Sequence, residues 1–278
     1  MSDSERRPTA PTSPAGPTSD RPLRVGVNGA VGRMGATVCN AVSVDPVLEL
    51  VAAVDVRGAG SVVEGVTVAA ELRAFADQHC DVVVDFTVAA AARDSVPWLA
   101  MHGIHAVVGT TGLTDADLDT FRQAFGERGP AHCLIAPNFA ISAVLMMRLA
   151  EIAAPYFDTA EVIEYHHDGK VDAPSGTAAE TARRLATASD EWAPDQTRHE
   201  VPPGVRGGAG PAGVRVHAVR MRGMVAHQEV LLGAIGQTLT IRQDSYDRAS
   251  FLPGVLLACK RIGSHPGLTV GLDRYLGL

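Results

Sequence analysis

The densest group of potentially reactive side chains lies at residues 164–178, where the sequence is EYHHDGKVDAPSGTA. His166, His167 and Lys170 place two imidazoles and an ammonium group within five residues. Imidazole titrates near neutral pH and lysine is a charged donor, so the group suits both proton transfer and anion binding. The segment from Ser175 to Thr177 favours the start of a helix, whose free N–H groups bind carboxylates or phosphates. The stretch therefore predicts a proton donor beside an anion receptor.

A metal centre is the weaker interpretation of the paired histidines. They are expected to close a β-strand, whose successive side chains point to opposite faces, so both cannot ligate one ion without a turn. A third ligand such as Asp168, Asp172 or His227 has no helical spacing that would bring it to them. We predict no metal, and we expect Glu164 and Asp172 to hold the loop or orient an imidazole. A plain strand-to-helix loop, with its basic residues in solvent, is the structural alternative.

A second motif with chemical meaning is Gly29-Ala30-Val31-Gly32-Arg33-Met34-Gly35. It follows a short apolar stretch at 24–28 and precedes a helical pattern through Val38 and Val42. Strand, glycine-rich turn and helix suit a pyrophosphate, because glycine lets the backbone approach a ligand and the helix N-terminus is partly positive. Since the Gly-x-x-Gly-x-x-Gly spacing is not the commonest dinucleotide fingerprint, a purely structural turn remains an alternative.

The next apolar stretch, 48–54, ends in Asp55, which follows Gly35 by 20 residues. An acidic residue at the end of this strand is placed to accept hydrogen bonds from an adenosine ribose. A simple strand-end aspartate is the alternative, but the two features agree in spacing and favour a nicotinamide dinucleotide. Asp55 favours NADH, whereas Arg33 and Arg57 would suit the 2′-phosphate of NADPH, so the predicted cofactor is NADH or NADPH.

Strands and helices alternate through the first half of the chain. We predict strands at 24–28, 48–54, 81–86, 105–108 and 134–136, and helices at 68–78, 89–102 and 138–157. This alternation is typical of a doubly wound parallel sheet, in which ligands bind at the carboxyl ends of the strands. The turns Gly109-Thr110-Thr111 and Ala136-Pro137-Asn138-Phe139 follow strands, so we expect them to line the same cleft as the glycine-rich turn.

The second half has a different pattern. We predict strands at 159–165, 214–221, 226–234 and 237–243, one helix at about 177–188, a long loop at 202–213 and a last helix at about 248–262. The predicted fold is therefore α/β, with an N-terminal Rossmann-like doubly wound parallel sheet and a C-terminal α+β domain built on an open mixed sheet. The dinucleotide-binding domain is predicted at 23–137, completed by 248–278, and the second domain at 138–247.

Composition limits the partners. The 278 residues are 46% hydrophobic and 20% charged, as in a globular protein, and the net charge of −7 argues against a nucleic-acid partner bound through a basic surface. The four cysteines form no Cys-x-x-Cys pair and are expected to be reduced and mostly buried. Residues 1–22 are predicted to be a disordered tail, and we predict no membrane partner and a cytoplasmic location.

Four motifs together resemble 4-hydroxy-tetrahydrodipicolinate reductase, also called dihydrodipicolinate reductase. They are Gly29-x-x-Gly32-Arg33-Met34-Gly35, Gly109-Thr110-Thr111, Ala136-Pro137-Asn138-Phe139 and, above all, His166-His167-x-x-Lys170-x-Asp172-Ala173-Pro174-Ser175-Gly176-Thr177-Ala178. The resemblance runs from about residue 23 to the C-terminus, and the last motif is highly specific to the family. It implies reduction of a cyclic dicarboxylate in the diaminopimelate route to lysine with NADH or NADPH, by a homotetramer assembled through the C-terminal domain.

The resemblance also implies residue roles. It makes His166 the proton donor or acceptor and Lys170 a second donor, and it places His167, Ser175, Gly176 and Thr177 on the substrate carboxylates. The implied cofactor residues are Gly29, Ala30, Val31, Gly32, Arg33, Met34, Asp55, Gly109, Thr110, Thr111, Ala136, Pro137, Asn138 and Phe139. Relatives often carry basic residues where this chain has Asp168 and Gly169, which lowers the local positive charge and is expected to weaken substrate binding. Because substrate and cofactor would lie on different domains, we expect hinge closure near 137–140 and 244–248.

Two other classes of function stay open. A redox-sensing protein that keeps the fold without turnover would bind NADH yet transfer no hydride, although the full set of donors at 166, 170 and 175–177 counts against it. A dehydrogenase of the same architecture acting on another small acid, such as an amino-acid dehydrogenase, would be indicated if a pyridine dicarboxylate failed to inhibit competitively.

Overall fold

A computed structural model describes residues 21–278. The strands are β1 (Leu23–Asn28), β2 (Leu48–Val54), β3 (Val62–Val63), β4 (Val66–Ala69), β5 (Val82–Asp85), β6 (His105–Val108), β7 (Cys133–Ile135), β8 (Thr159–His166), β9 (Gly208–Ala209), β10 (Arg215–Arg220), β11 (Ala226–Ala234), β12 (Gln237–Ser245) and β13 (Leu268–Val270). The α-helices are α1 (Arg33–Ser43), α2 (Arg73–Asp77), α3 (Ala89–Met101), α4 (Asp115–Ala124), α5 (Ile141–Ala153), α6 (Gly176–Ala188), α7 (Leu252–Arg261) and α8 (Asp273–Leu276). The predicted tail, residues 1–22, lies outside the described residues except for its last two.

Eight strands form the first sheet, in the order β13-β7-β6-β5-β1-β2-β4-β3. All neighbouring strands are parallel except β3 and β4. The chain starts in the middle at β1, runs outward through β2, and then crosses back to β5, so the strand order reverses between β1 and β5. In such sheets this reversal marks the ligand-binding crevice. The C-terminal segment returns here, because α7 packs on α1 and β13 pairs with β7. The predicted Rossmann-like sheet is confirmed.

The predicted helix at 68–78 is wrong in its first part. Residues Val66–Ala69 form β4, which pairs with β2 and with β3, and only Arg73–Asp77 is helical. The β-branched residues of this segment favour an extended backbone, and alternation places Val68 in the core while Thr67 is exposed. A two-residue turn at Glu64 and Gly65, both with positive φ, closes the β3–β4 hairpin.

Five strands form the second sheet, in the order β12-β11-β8-β10-β9. The strands β8 and β10 are parallel and are joined by α6, whereas the other neighbours are antiparallel. Helix α6 packs on β8 and β10, and α5 packs on β12 and on α6. The predicted open mixed sheet is confirmed, although the predicted loop at 202–213 contains the short β9. The predicted last helix begins as a 3-10 turn before α7.

Within residues 21–278, no helix is both long enough and apolar enough to cross a bilayer. All four cysteines are buried as free thiols.

Candidate active site

The turn between β1 and α1 is a tight backbone structure. Gly29 has a φ of +80°, its N–H donates to Val54 O at 2.8 Å, and its own oxygen accepts Gly32 N–H at 3.0 Å. A Cβ on Gly35 would lie only 2.0 Å from the Gly29 oxygen. Helix α1 starts at Arg33, and its N-cap residue is Gly32, which has no side chain to cap the helix. The first N–H groups of α1 therefore have no side-chain acceptor, an arrangement that can bind an anion.

Asp55 lies beside this turn, directly after β2, and is buried. One carboxylate oxygen accepts Val31 N–H at 3.3 Å and the other accepts Arg57 N–H at 2.9 Å. Each oxygen keeps a lone pair, so the carboxylate can still accept a hydroxyl group. Ala30 belongs to the core and Met34 packs against that core. The turn and the acidic residue are thus joined by a direct hydrogen bond.

The Gly-Thr-Thr and Ala-Pro-Asn-Phe turns follow β6 and β7 at the same edge of the sheet. Gly109 packs against Phe86, because a Cβ there would lie 2.1 Å from the ring. Phe139 contacts the same ring, with centroids 5.9 Å apart. Of the residues predicted to contact the cofactor, five are buried (Ala30, Asp55, Thr110, Ala136, Phe139), three are exposed (Arg33, Thr111, Pro137) and six are half-buried (Gly29, Val31, Gly32, Met34, Gly109, Asn138).

Asn138 connects the two halves of the site. Its Nδ2 donates to Thr177 Oγ1 at 3.1 Å, while its Oδ1 accepts Ala140 N–H at 2.8 Å. The turn after β7 is thereby tied to the first turn of α6. Because of this turn, the helix predicted at 138–157 begins only at Ile141.

His166 ends β8, and its ring is oriented by Glu164, two residues earlier on the same face of the strand. His166 Nδ1 donates to Glu164 Oε2 at 2.5 Å, which leaves Nε2 to exchange a proton. Glu164 has no exposed surface. Arg220 donates one hydrogen bond of 2.8 Å to each of its oxygens, and Ser175 N–H donates to Oε1 at 3.0 Å. Glu164 thus joins the strand that carries the imidazole to the start of α6.

The pKa values of His166 and Glu164 are both lowered, but for different reasons. Burial above all, together with the charges of Lys170 and Arg220, lowers the pKa of His166, and the Glu164 carboxylate opposes this only in part. Burial would raise the pKa of Glu164, but hydrogen bonds from Arg220, His166 and Ser175 hold that pKa below its usual value. At neutral pH the site therefore holds an ionised carboxylate and a largely neutral imidazole. A dianionic ligand would favour the protonated imidazole, since opposite charge stabilises the charged form.

Lys170 and His167 lie in the loop between β8 and α6. Lys170 Nζ is 2.8 Å from both carboxylate oxygens of Asp172. The backbone N–H of Lys170 donates to His167 O at 3.1 Å. The lysine hydrogen bond holds the pKa of Asp172 below its usual value. His167 is exposed beside Gly169. An incoming anion would compete with Asp172 for the ammonium group.

The helix predicted from about Thr177 begins one residue earlier, at Gly176. Ser175 is its N-cap, and the Ser175 hydroxyl oxygen accepts Ala178 N–H at 3.2 Å. The N–H groups of the first helical residues have no acceptor within the helix. Because Ser175 uses both its N–H and its hydroxyl oxygen inside the protein, Gly176 and Thr177 carry the N–H groups that are free to bind an anion.

Arg220 is the residue of this site that the sequence does not reveal. It is separated from Glu164 by 56 residues, and only the parallel pairing of β10 with β8 sets it beside His166. Its guanidinium also donates to Asp172 O at 2.6 Å. The one signal available, a basic residue at the end of a strand, is too common to identify it. Across residues 21–278, no group of three His, Cys, Asp or Glu side chains is arranged to hold a metal ion.

Two family descriptions match almost the whole of residues 21–278. Residues 23–139 match "Dihydrodipicolinate reductase, N-terminus", and residues 142–276 match "Dihydrodipicolinate reductase, C-terminus". Relatives named 4-hydroxy-tetrahydrodipicolinate reductase include one from Corynebacterium urealyticum at 49% identity and one from Nocardia farcinica at 51% identity. Each alignment covers 92% of this chain and 99% of the relative.

A solved structure is similar over the same length. Dipicolinate-bound dihydrodipicolinate reductase from Paenisporosarcina sp. TG-14 superimposes with a TM-score of 0.82 at 34% identity, covering 91% of this chain and 99% of that one. The resemblance carried by the four sequence motifs is therefore confirmed. The chain belongs to the dihydrodipicolinate reductase family, the oxidoreductases that convert 4-hydroxy-tetrahydrodipicolinate to tetrahydrodipicolinate with NADH or NADPH in the diaminopimelate route to lysine.

Proposed function

We propose that this chain performs that reduction with His166 as the proton donor and Lys170 as a second donor. The observation that carries the proposal is the hydrogen bond from Asn138 to Thr177, which joins a turn at the carboxyl edge of the parallel sheet to the helix start beside His166. One cleft can therefore accept a dinucleotide along the first sheet and a small dianion at the second.

The dinucleotide is assigned to the first sheet. The residues fit such a ligand, because Gly35 leaves no room for a side chain against the turn and α1 has no side-chain cap. The first N–H groups of α1 would bind the pyrophosphate and Asp55 the adenosine ribose. The turns at 109–111 and 136–139, on the other side of the strand reversal, would line the nicotinamide end. When bound, the dihydronicotinamide supplies the hydride.

The substrate carboxylates are assigned to the loop and helix start after β8. A dianion needs cations and free N–H groups at both of its charged ends. His167 and Lys170 supply side-chain donors, and Gly176 and Thr177 supply N–H groups at the positive end of α6. The Ser175 hydroxyl oxygen caps α6, and its hydroxyl hydrogen can donate to a substrate carboxylate. In this proposal Lys170 exchanges Asp172 for a substrate carboxylate.

Proton delivery is assigned to Nε2 of His166. Glu164 holds the other ring nitrogen, and Arg220 keeps Glu164 ionised, so one tautomer and one ring orientation are favoured. The bound dianion raises the pKa of His166 and loads the imidazole with a proton. The 4-hydroxyl group leaves as water together with a proton from the neighbouring ring carbon, which creates a ring double bond. As one carbon of that bond accepts a hydride, charge develops toward the adjacent carbon, and the imidazolium donates its proton there.

Domain roles follow the same division. We assign residues 23–137, completed by 248–278, to the cofactor and 138–247 to the substrate and to self-association as a homotetramer, with hinges near 137–140 and 244–248. The two sheets and the Asn138 bridge between them support this division. A cytoplasmic location belongs to the proposal as well, because four buried free thiols suit a reducing compartment.

The test is a coupled assay in which NADH or NADPH oxidation is followed after pyruvate and aspartate semialdehyde have been condensed. We expect turnover with the parent chain, a loss of about 100-fold or more in His166→Gln, and a smaller but clear loss in Lys170→Ala. His102→Gln is the control, since His102 is exposed at the end of α3. Parental rates in both site variants would refute the catalytic assignment, and NADH binding without turnover in the parent would favour a sensor.

A further inference from the structure

A third buried carboxylate, Asp85, has no part in the chemistry above. It ends β5 without exposed surface. Its Oδ1 accepts hydrogen bonds from Thr87 N–H at 3.0 Å, Thr87 Oγ1 at 2.7 Å and Thr110 Oγ1 at 2.9 Å. Its Oδ2 accepts from Asn28 Nδ2 at 2.8 Å and Ser95 Oγ at 2.7 Å. All five donors are uncharged, so hydrogen bonds rather than a cation offset the cost of burying this group.

The donors come from separate elements that meet at the carboxyl edge of the first sheet. Asn28 is the last residue of β1, directly before the glycine-rich turn, and Thr110 is the middle residue of the Gly-Thr-Thr turn after β6. Both side chains are buried. The strands β1 and β6 are not neighbours, because β5 lies between them. No ladder pairs β1 with β6 directly, and Asp85 supplies a polar connection across β5.

We propose that Asp85 is a positioning residue for the dinucleotide: its carboxylate holds the glycine-rich turn and the Gly-Thr-Thr turn in the one relative alignment that an extended dinucleotide can bridge. The inference rests on the proposed function, because it needs both turns to contact the cofactor. Two binding segments that are fixed before the ligand arrives lose less entropy on binding, and a small misplacement between them weakens binding and hydride transfer together.

Asp85→Asn tests this directly, because it keeps the size of the side chain but replaces one acceptor oxygen by a donor. We expect the Kd and KM for NADH to rise about tenfold or more, as for the loss of hydrogen bonds to a charged group. The Kd for pyridine-2,6-dicarboxylate, measured without cofactor, should change by less than about twofold, because the anion receptor lies on the other sheet.

Thr110 provides a second, milder test. Thr110→Val should raise the KM for NADH, and Thr110→Ser, which keeps the hydroxyl, should restore it. In an Asp85→Asn background, Thr110→Val should add little, because either change alone already breaks the connection between the two turns. Fully additive effects would mean that Thr110 acts on the cofactor by itself, and the inference would fail.

Ser95→Ala is the matched control. It removes one hydrogen bond to Asp85 from α3, outside the two turns, so it should lower Tm while leaving the KM for NADH within about twofold of the parent. If Ser95→Ala raised that KM as much as Thr110→Val, or if neither Asp85→Asn nor Thr110→Val raised it, the network would be structural only. If Asp85→Asn does not fold, the Thr110 and Ser95 variants decide the question. A parent chain that neither binds nor oxidises NADH would instead refute the proposed function.

Discussion

The N-termini of α1 and α6, to which the two ligands are assigned, are built differently. Helix α1 begins after Gly32 without a side-chain cap, and its turn is closed by the packing of Gly35 on the Gly29 oxygen. Helix α6 begins after Ser175, whose hydroxyl caps the helix and whose N–H is held by the buried Glu164. The first receptor is made by omitting side chains and the second by arranging charged and polar ones.

This difference matches the two ligands assigned to them. A receptor made of backbone lets a long pyrophosphate approach closely, so its selectivity depends on shape. A receptor made of side chains brings charge and a titratable group to a small dianion, so it controls both binding and proton transfer. Changes of shape should therefore damage the α1 receptor, and changes of charge should damage the α6 receptor.

The largest expected effect comes from Gly35→Ala. The new Cβ would meet the Gly29 oxygen, which belongs to the backbone and cannot rotate away, so the turn must open. We predict that NADH affinity, measured by titration, falls about 100-fold or more. Gly176→Ala is the matched change at α6, where a Cβ meets no atom within 4 Å. It should keep Tm and NADH affinity near the parental values, and equal damage from both substitutions would contradict the distinction.

Glu164→Gln should lower kcat about 10- to 100-fold, because the imidazole loses the carboxylate that orients it. The carboxylate also raises the pKa of His166, which burial depresses, so its removal should lower that pKa further. The limb on which activity falls with rising pH should therefore move to lower pH. Rates measured across pH check this.

Glu161→Gln is the control for that change. Glu161 stands on the same strand but on the opposite face, and it forms a similar group with Arg206 and His217. Its loss should affect Tm without moving the pH profile. An unchanged profile in Glu164→Gln, or the same shift in Glu161→Gln, would remove the case for Glu164 as a positioning residue.

Ser175→Ala should have an intermediate effect. Loss of an N-cap should reduce the free energy of unfolding by about 1 kcal/mol and loosen the first turn of α6, which should weaken dicarboxylate binding a few-fold. Thr114→Ala removes the cap of α4, which is far along the chain and has its own capping box with Asp117. It should show a similar loss in urea unfolding with no change in dicarboxylate affinity. Parental dicarboxylate affinity in Ser175→Ala would argue against the α6 receptor.

The smallest effect is expected at Asp168, the acidic residue between His167 and Lys170 in the loop after β8. Arg222 donates a hydrogen bond to Asp168 at 2.8 Å, so the negative charge of Asp168 is already partly neutralised. The Arg222 side chain is 92% exposed, so this ion pair is screened by solvent. Asp168→Lys should tighten dicarboxylate binding by only a few-fold, and the gain should shrink as salt is added. A gain that does not depend on salt would point to a direct contact instead.

Local pattern was enough to predict much of the molecule. Five of the eight strands of the first sheet (β1, β2, β5, β6 and β7) and the turns after them follow from apolar runs and glycines, and the site residues from His166 to Thr177 lie close along the chain. The short strand β4 was not predicted, because four residues have too little pattern of their own and their state is decided by pairing with β2 and β3.

Long-range partners were out of reach for the same reason. Arg220 meets Glu164 across 56 residues, and Asp85 meets Asn28 across 57, and both contacts depend on which strands become neighbours. From the sequence alone, Asp85 and Arg220 each lay within a predicted strand. Their roles depend on sheet order and register, which a single sequence does not specify.

The separation of the two receptors is tested most directly by calorimetric titration of Lys170→Ala with NADH and, separately, with pyridine-2,6-dicarboxylate. We predict that dicarboxylate affinity falls about tenfold or more, as for loss of a charged hydrogen-bond donor, while NADH affinity stays within about twofold of the parent. Parental dicarboxylate affinity, or an equal loss of both affinities, would contradict the assignment of the two ligands to two different helix N-termini.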